Sequence, residues 1–165
     1  MVKNPDQRVG VFVDVSNLYH SARTIDNARV DFRAVLEAAV ADRKLIRAIA
    51  YAITSESNDE EKFFDALDKS GYEVKVKELQ TFQSGKKKAD WDVGLAIDMI
   101  RMSESLDVLV LISGDGDYIP AVEYLQNHGN IVEVIAFGRS ASSDLASRAD
   151  DFLDLEDDLD AFLRS

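Results

Sequence analysis

The sequence predicts one α/β domain built around a central, mainly parallel sheet of about five to six strands. Three observations predict it. Short β-rich apolar runs alternate with segments of helical period. No Gly/Ser- or Pro-rich linker interrupts the 165 residues. Acidic and turn residues collect just after the apolar runs, where the connections of a parallel α/β sheet part. A chain of this length buries enough surface for one core without disulfides or a structural metal.

The first strand is Val9 to Val13, followed by a polar turn, a short helix near Leu18–Thr24 and a clearer one from Phe32 to Asp42. A second strand runs from about Leu45 to Ile53. Ser57 with Glu60 forms a capping box for the next helix, which buries Phe63, Phe64 and Leu67 and closes at Gly71. Tyr72 to Leu79 alternates as a third strand. Residues 80–90, QTFQSGKKKAD, read as a polar loop holding the chain's basic cluster. From Asp92 the stripe Leu95, Ala96, Met99, Ile100 describes an amphipathic helix. A fourth strand, Asp107 to Ile112, ends in SGDGDY. A helix to about His128 and a fifth strand, Ile131 to Phe137, follow. After the small residues Ser140–Ser147 come a short sixth strand at Phe152–Leu155 and a terminal turn with Leu159, Phe162 and Leu163. The reading divides the chain into an extension at 1–7, the domain at 8–155, and an acidic tail or short helix at 156–165.

Composition narrows the chemistry. The chain has no cysteine, which excludes disulfides, a thiolate zinc site and a cysteine nucleophile. His20 and His128 stand alone and are not read as ligands, so a metal must be held by oxygen. The net charge is −12, which argues against a general polyanion binder. Part of it is local: outside residues 150–165 there are 18 Lys and Arg against 24 Asp and Glu, leaving −6. No apolar run is long enough for a signal sequence or a membrane span, so a cytoplasmic protein without membrane contact is expected.

Acids recur at three of the strand exits. Asp14, with Ser16 and Asn17, follows the first strand. Asp90 and Asp92 follow the third, and Ser113, Asp115 and Asp117 follow the fourth. If the first strand lies beside the fourth, as in a 3-2-1-4-5 order, Asp14 and Asp115 become neighbours whose repulsion a cation would relieve. All-oxygen ligands favour Mg²⁺ or Mn²⁺, ions that commonly share their coordination with phosphate oxygens.

Each piece also has a plainer meaning. Asp92 can simply cap a helix, and Gly114-Asp115-Gly116-Asp117 can be a tight turn. Trp91 can stack on a base or pack on the sheet. Lys86, Lys87 and Lys88 can be a solvated loop or contacts for a phosphate backbone. Asp14 is harder to explain away, because an acid ending an apolar strand is costly to bury unpaired. Asp98 lies six residues beyond Asp92, on another helix face, and reads as structural.

The strings VFVDVSNLYH, KKADWDVGLAIDMI and LISGDGDYIPAVEYLQNHG, in this order and spacing, resemble the NYN domain family, specifically its LabA-like branch. The resemblance spans essentially residues 8–155. It implies membership of the PIN-like nuclease group, a three-layer α/β/α fold and metal-dependent RNA cleavage. Mapped by motif, the family's acids fall on Asp14, Asp92, Asp115 and Asp117. Asn17 matches the polar residue after the first acid, and Ser113 the small hydroxyl residue before the Gly-Asp turn.

The expected activity is therefore that of a Mg²⁺- or Mn²⁺-dependent, endonucleolytic ribonuclease. Its four aspartates serve as ligands and water activators, and Asn17 and Ser113 orient ligands or phosphate. RNA is the expected partner, bound weakly by so acidic a chain unless a homodimer or another partner extends the basic surface. Two other readings compete. One is a non-catalytic regulatory module that binds RNA or protein through the same cleft. The other is a haloacid-dehalogenase-type phosphatase, which needs a second acid two residues after its nucleophilic aspartate, where this chain has Ser16.

Overall fold

The computed structural model describes residues 3–54, 59–78, 80–81, 87–88 and 90–164. In chain order the elements are β1 (Arg8–Asp14), α1 (Val15–Asp26), β2 (Arg29–Val30), α2 (Phe32–Val40), β3 (Lys44–Thr54), α3 (Asp59–Lys69), β4 (Glu73–Glu78), β5 (Gln80–Thr81) and β6 (Lys87–Lys88). Then follow α4 (Asp92–Met102), β7 (Val108–Ile112), α5 (Ile119–Asn127), β8 (Ile131–Ala136), α6 (Ser143–Arg148), β9 (Asp151–Asp154), α7 (Leu159–Phe162) and β10 (Leu163–Arg164).

Six strands form one sheet in the order β4-β3-β1-β7-β8-β9, and every pairing in it is parallel. β1 and β7 are neighbours at its centre, with Val13 opposite Ile112. Because side chains alternate across a strand, the sheet feeds two cores. Val9, Val11 and Val13 of β1 with Val108, Val110 and Ile112 of β7 face α1, α2 and Leu67 of α3. Phe12, Leu109, Leu111, Val132 and Val134 face Leu95 and Met99 of α4, Val122 and Leu125 of α5, and Leu145 of α6. Helices on both faces make this a three-layer α/β/α domain.

Several local expectations change. The first helix starts immediately after β1, at Val15, because the Asp14 side chain accepts from the Asn17 amide and caps it. α2 ends at Val40, two residues earlier than its pattern, where Ala41 and Asp42 turn left-handed with φ of 50° and 59°. The small-residue stretch contains a helix, α6, capped by Ser142 and anchored by buried Leu145. Residues read as loop in 80–90 include an antiparallel pair, Gln80 with Lys88 and Thr81 with Lys87. The tail carries the short helix expected there, α7, and beyond it an unforeseen β10, where Leu163 pairs with Val30. The Ser57 cap lies outside the described residues. Gly71 does follow α3, with φ of 111°.

Candidate metal centre

The carboxyl edge of the sheet brings the predicted acids together in two tiers. The outer tier is Asp92, Asp115 and Asp117, each offering one oxygen within 4.8 Å of the others. Asp92 is the first residue of α4. Asp115 caps the short 3₁₀ turn that leads into α5, its Oδ1 accepting from the Asp117 amide at 2.9 Å. The inner tier is Asp14, 8% exposed at the end of β1.

Asp14 is held by three donors. The Asn17 amide donates to Oδ1 at 3.3 Å, while Ser113 Oγ (3.4 Å) and the Tyr118 hydroxyl (3.2 Å) donate to Oδ2. A carboxylate has about four lone-pair sites, so one remains on Oδ1. Burial nevertheless raises its pKa, against the three donors, and the Asp115 charge adds to that rise.

Tyr118 ties the tiers together. Its hydroxyl lies 3.2 Å from Asp14 Oδ2 and 3.2 Å from Asp92 Oδ1, and its ring is 1% exposed. A phenol has one proton to give, so it donates to one carboxylate at a time. The sequence hid this residue, because Tyr118, Val122 and Leu125 follow helical spacing and read as a plain core stripe.

Asn17 and Ser113 brace the turn from within. The Gly114 amide donates to Asn17 Oδ1 at 2.9 Å. Ser113 is fully buried, and its hydroxyl also accepts from the Asp115 amide at 3.2 Å. Gly114 is required by close approach: a Cβ there would stand 2.8 Å from the Ala141 Cα. Trp91 packs edge-on against Tyr51 and donates from Nε1 to the Ala52 carbonyl at 2.8 Å, so it belongs to the scaffold. Asp98 is structural too: against its burial, Lys75 (2.6 Å) and Tyr51 (2.8 Å) hold its pKa below the usual value. Of the three lysines, Lys86 lies outside the described residues, and Lys87 and Lys88 are placed by backbone alone, in β6.

The outer tier crowds like charges together. Burial, then the adjacent Asp115 carboxylate, then Asp14 and Asp90, push the Asp92 pKa up to about 7. Between an unfolded value near 3.8 and this folded value, the native state binds the extra proton, so its stability falls as pH rises through that window. Asp14 shifts in the same direction. Partial exposure of Asp92 screens the effect. In EDTA the Tm is expected to drop on the order of 3 °C from pH 5 to pH 8, and Mn²⁺ should abolish the drop. Thermal unfolding across that pH range, with and without Mn²⁺, checks it.

Residues 8–156 match the NYN domain family. The chain belongs to that family. NYN domains form part of the PIN-like nuclease superfamily and are generally nucleases, so the acids at this edge lie in a nuclease-type fold. This NYN chain is 30% identical over 158 residues to the low amplitude and bright protein LabA of Synechococcus elongatus, covering 91% of this chain and 84% of that one. It is also similar to the crystal structure of a protein of unknown function from Vibrio parahaemolyticus. That match has a TM-score of 0.89 and 31% identity, over 99% of this chain and 100% of the other. The three hard carboxylates fit an oxygen-preferring divalent ion of the kind PIN-like nucleases generally use. Among the described residues no helix is long and apolar enough to cross a membrane.

Proposed function

We propose that this chain is a Mg²⁺- or Mn²⁺-dependent endoribonuclease. The observation that carries the reading is the convergence of the Asp92, Asp115 and Asp117 carboxylates within 4.8 Å at the carboxyl edge of a NYN-type sheet. These three hold the ion. Asp14, buried behind them with one lone pair free on Oδ1, completes the negative charge and fixes the outer tier through Tyr118. Asp117 is the exposed member of the trio, which supports a role for it in orienting the attacking water. A bound ion supplies Lewis acidity, offsetting charge on the phosphate and lowering the pKa of water. Asn17 and Ser113 hold the Gly114–Asp115 backbone and so aim Asp115. Lys86, Lys87 and Lys88 serve the phosphate backbone of the RNA.

End-labelled single-stranded RNA incubated with Mn²⁺, beside an EDTA control, tests the reading. Internal cuts that EDTA abolishes support it. The −12 charge favours one other reading, a non-catalytic module that binds RNA or protein and recruits its basic surface from a partner. Mn²⁺ binding with no cleavage of any RNA would select that reading.

Tyr118→Phe separates geometry from bulk. The ring still fills its pocket, but Asp14 loses a donor in a buried place, at a cost of about 1–3 kcal/mol. Mn²⁺ affinity should weaken about 10- to 100-fold, as for other residues that orient a ligand. Isothermal titration with Mn²⁺ beside urea unfolding reads both effects.

A further inference from the structure

A cleft of about 570 Å³ opens from the outer aspartates between α4 and α5. Its head is acidic, with Asp90, Asp92 and Asp117; its body is Val93, Ala96, Ile97 and Ile100 of α4 facing Pro120, Ala121 and Tyr124 of α5. The cause is the spacing. Asp92 opens α4, and Asp117 lies in the 3₁₀ turn that leads into α5. Apolar residues then follow at helical intervals on the facing stripes for about 12 Å along α4. Val93 is 75% exposed, Ile97 46% and Tyr124 44%, which is unusual for facing residues of two packed helices.

Tyr124 is pre-set as a platform. His128 stacks on its ring with centroids 4.1 Å apart and planes 25° from parallel. The His128 ring is itself tied down, Nδ1 donating to the Tyr124 carbonyl at 2.8 Å. Tyr124 lines the cleft and His128 does not, so the tyrosine is braced from behind and loses little side-chain freedom when something stacks on its cleft side.

We infer that this cleft is a nucleobase subsite, in which an unpaired base of single-stranded RNA stacks on Tyr124 beside the phosphate that an ion at Asp92, Asp115 and Asp117 would hold. The inference rests on the nuclease-type reading of the acidic head, which fixes where the phosphodiester goes. Among the described residues no charged side chain lines the body of the cleft, so it accepts the neutral, planar part of a nucleotide where the rest of an acidic surface repels the chain. A base within a duplex is already stacked and has no face to offer, so the subsite selects unpaired RNA. It also supplies affinity without phosphate neutralisation, which a chain of charge −12 otherwise lacks.

The test titrates wild type, Tyr124→Ala and Tyr124→Trp into a single-stranded oligoribonucleotide carrying a fluorescent adenine analogue. It is run in Ca²⁺, with cleavage in Mn²⁺ and sedimentation followed in parallel. Stacking quenches the analogue, so wild type and Tyr124→Trp should quench it. Tyr124→Ala should lose the quench and bind about tenfold more weakly, with Mn²⁺ affinity unchanged. Equal quenching and affinity in Tyr124→Ala would overturn the subsite while leaving any cleavage intact. No RNA binding by wild type would overturn it as well. So would a wild-type dimer that Tyr124→Ala dissociates, because a second copy would then cover the cleft. Quenching without cleavage would keep the subsite and remove the ribonuclease reading alone.

Discussion

Asp115→Asn is expected to reduce RNA cleavage by at least about 100-fold while making the metal-free protein more stable at pH 8. Asp115 both caps the turn and supplies charge, and the substitution separates these roles. Its Oδ1 accepts from the Asp117 amide at 2.9 Å, a bond the Asn carbonyl can keep, so the turn survives. The charge does not survive. One of the three carboxylates proposed to hold the ion is lost, and changing even residues that merely support a metal ligand commonly costs 10- to 100-fold in affinity or activity. After burial, Asp115 is the principal reason that Asp92 sits near pH 7, so its neutralisation lets Asp92 ionise at lower pH and relieves repulsion in the folded state. A higher Tm in EDTA with lost activity is the expected pairing. Unchanged cleavage would remove Asp115 from the ligand set, and lost activity with a collapsed fold would show only that the turn needs Asp.

The largest stability effect should come from the opposite end of the sheet. Arg43, 1% exposed in its side chain, donates to Glu133 of β8 through two bonds of 2.9 and 2.8 Å. It also donates to the Ala39 and Val40 carbonyls at 2.9 and 3.0 Å, satisfying the end of α2 just where Ala41 and Asp42 turn left-handed. Arg43→Met removes the charge and these donors but keeps much of the volume. Among the described residues buried Glu133 then keeps one ion-pair partner, Lys3 at 3.9 Å, and the loss should reach about 3–5 kcal/mol in urea unfolding. Arg43→Met combined with Glu133→Leu should regain most of it, because no unpaired charge then stays in the core. A single variant within about 1 kcal/mol of wild type would mean that water reaches Glu133.

These two expectations differ in how visible their causes are in the sequence. Asp14 and Asp115 were legible because each follows an apolar run that reads as a strand, and Asp92 because it opens the helix on the next connection. Parallel topology then carries all such ends to one edge. The tiering was not legible, since it depends on Tyr118, whose hydroxyl is masked by a core-like spacing. The Arg43–Glu133 pair was invisible for a different reason: its partners are 90 residues apart, and each alone reads as surface charge. Short elements were missed where few residues carry the signal. α6 has a single buried apolar anchor, Leu145, and β2 and β10 are two residues each, held by tertiary pairing more than by pattern. α1 was read three residues late because Asp14 looked like a ligand and is also a cap.

The central claim is that Asp92, Asp115 and Asp117 together hold a divalent ion at the carboxyl edge of the sheet. Anomalous diffraction from crystals soaked in Mn²⁺ tests it most directly. The account predicts one strong peak bonded to an oxygen of each of the three, with Asp14 directly behind. A peak elsewhere, or none at Mn²⁺ concentrations that support cleavage, would contradict it.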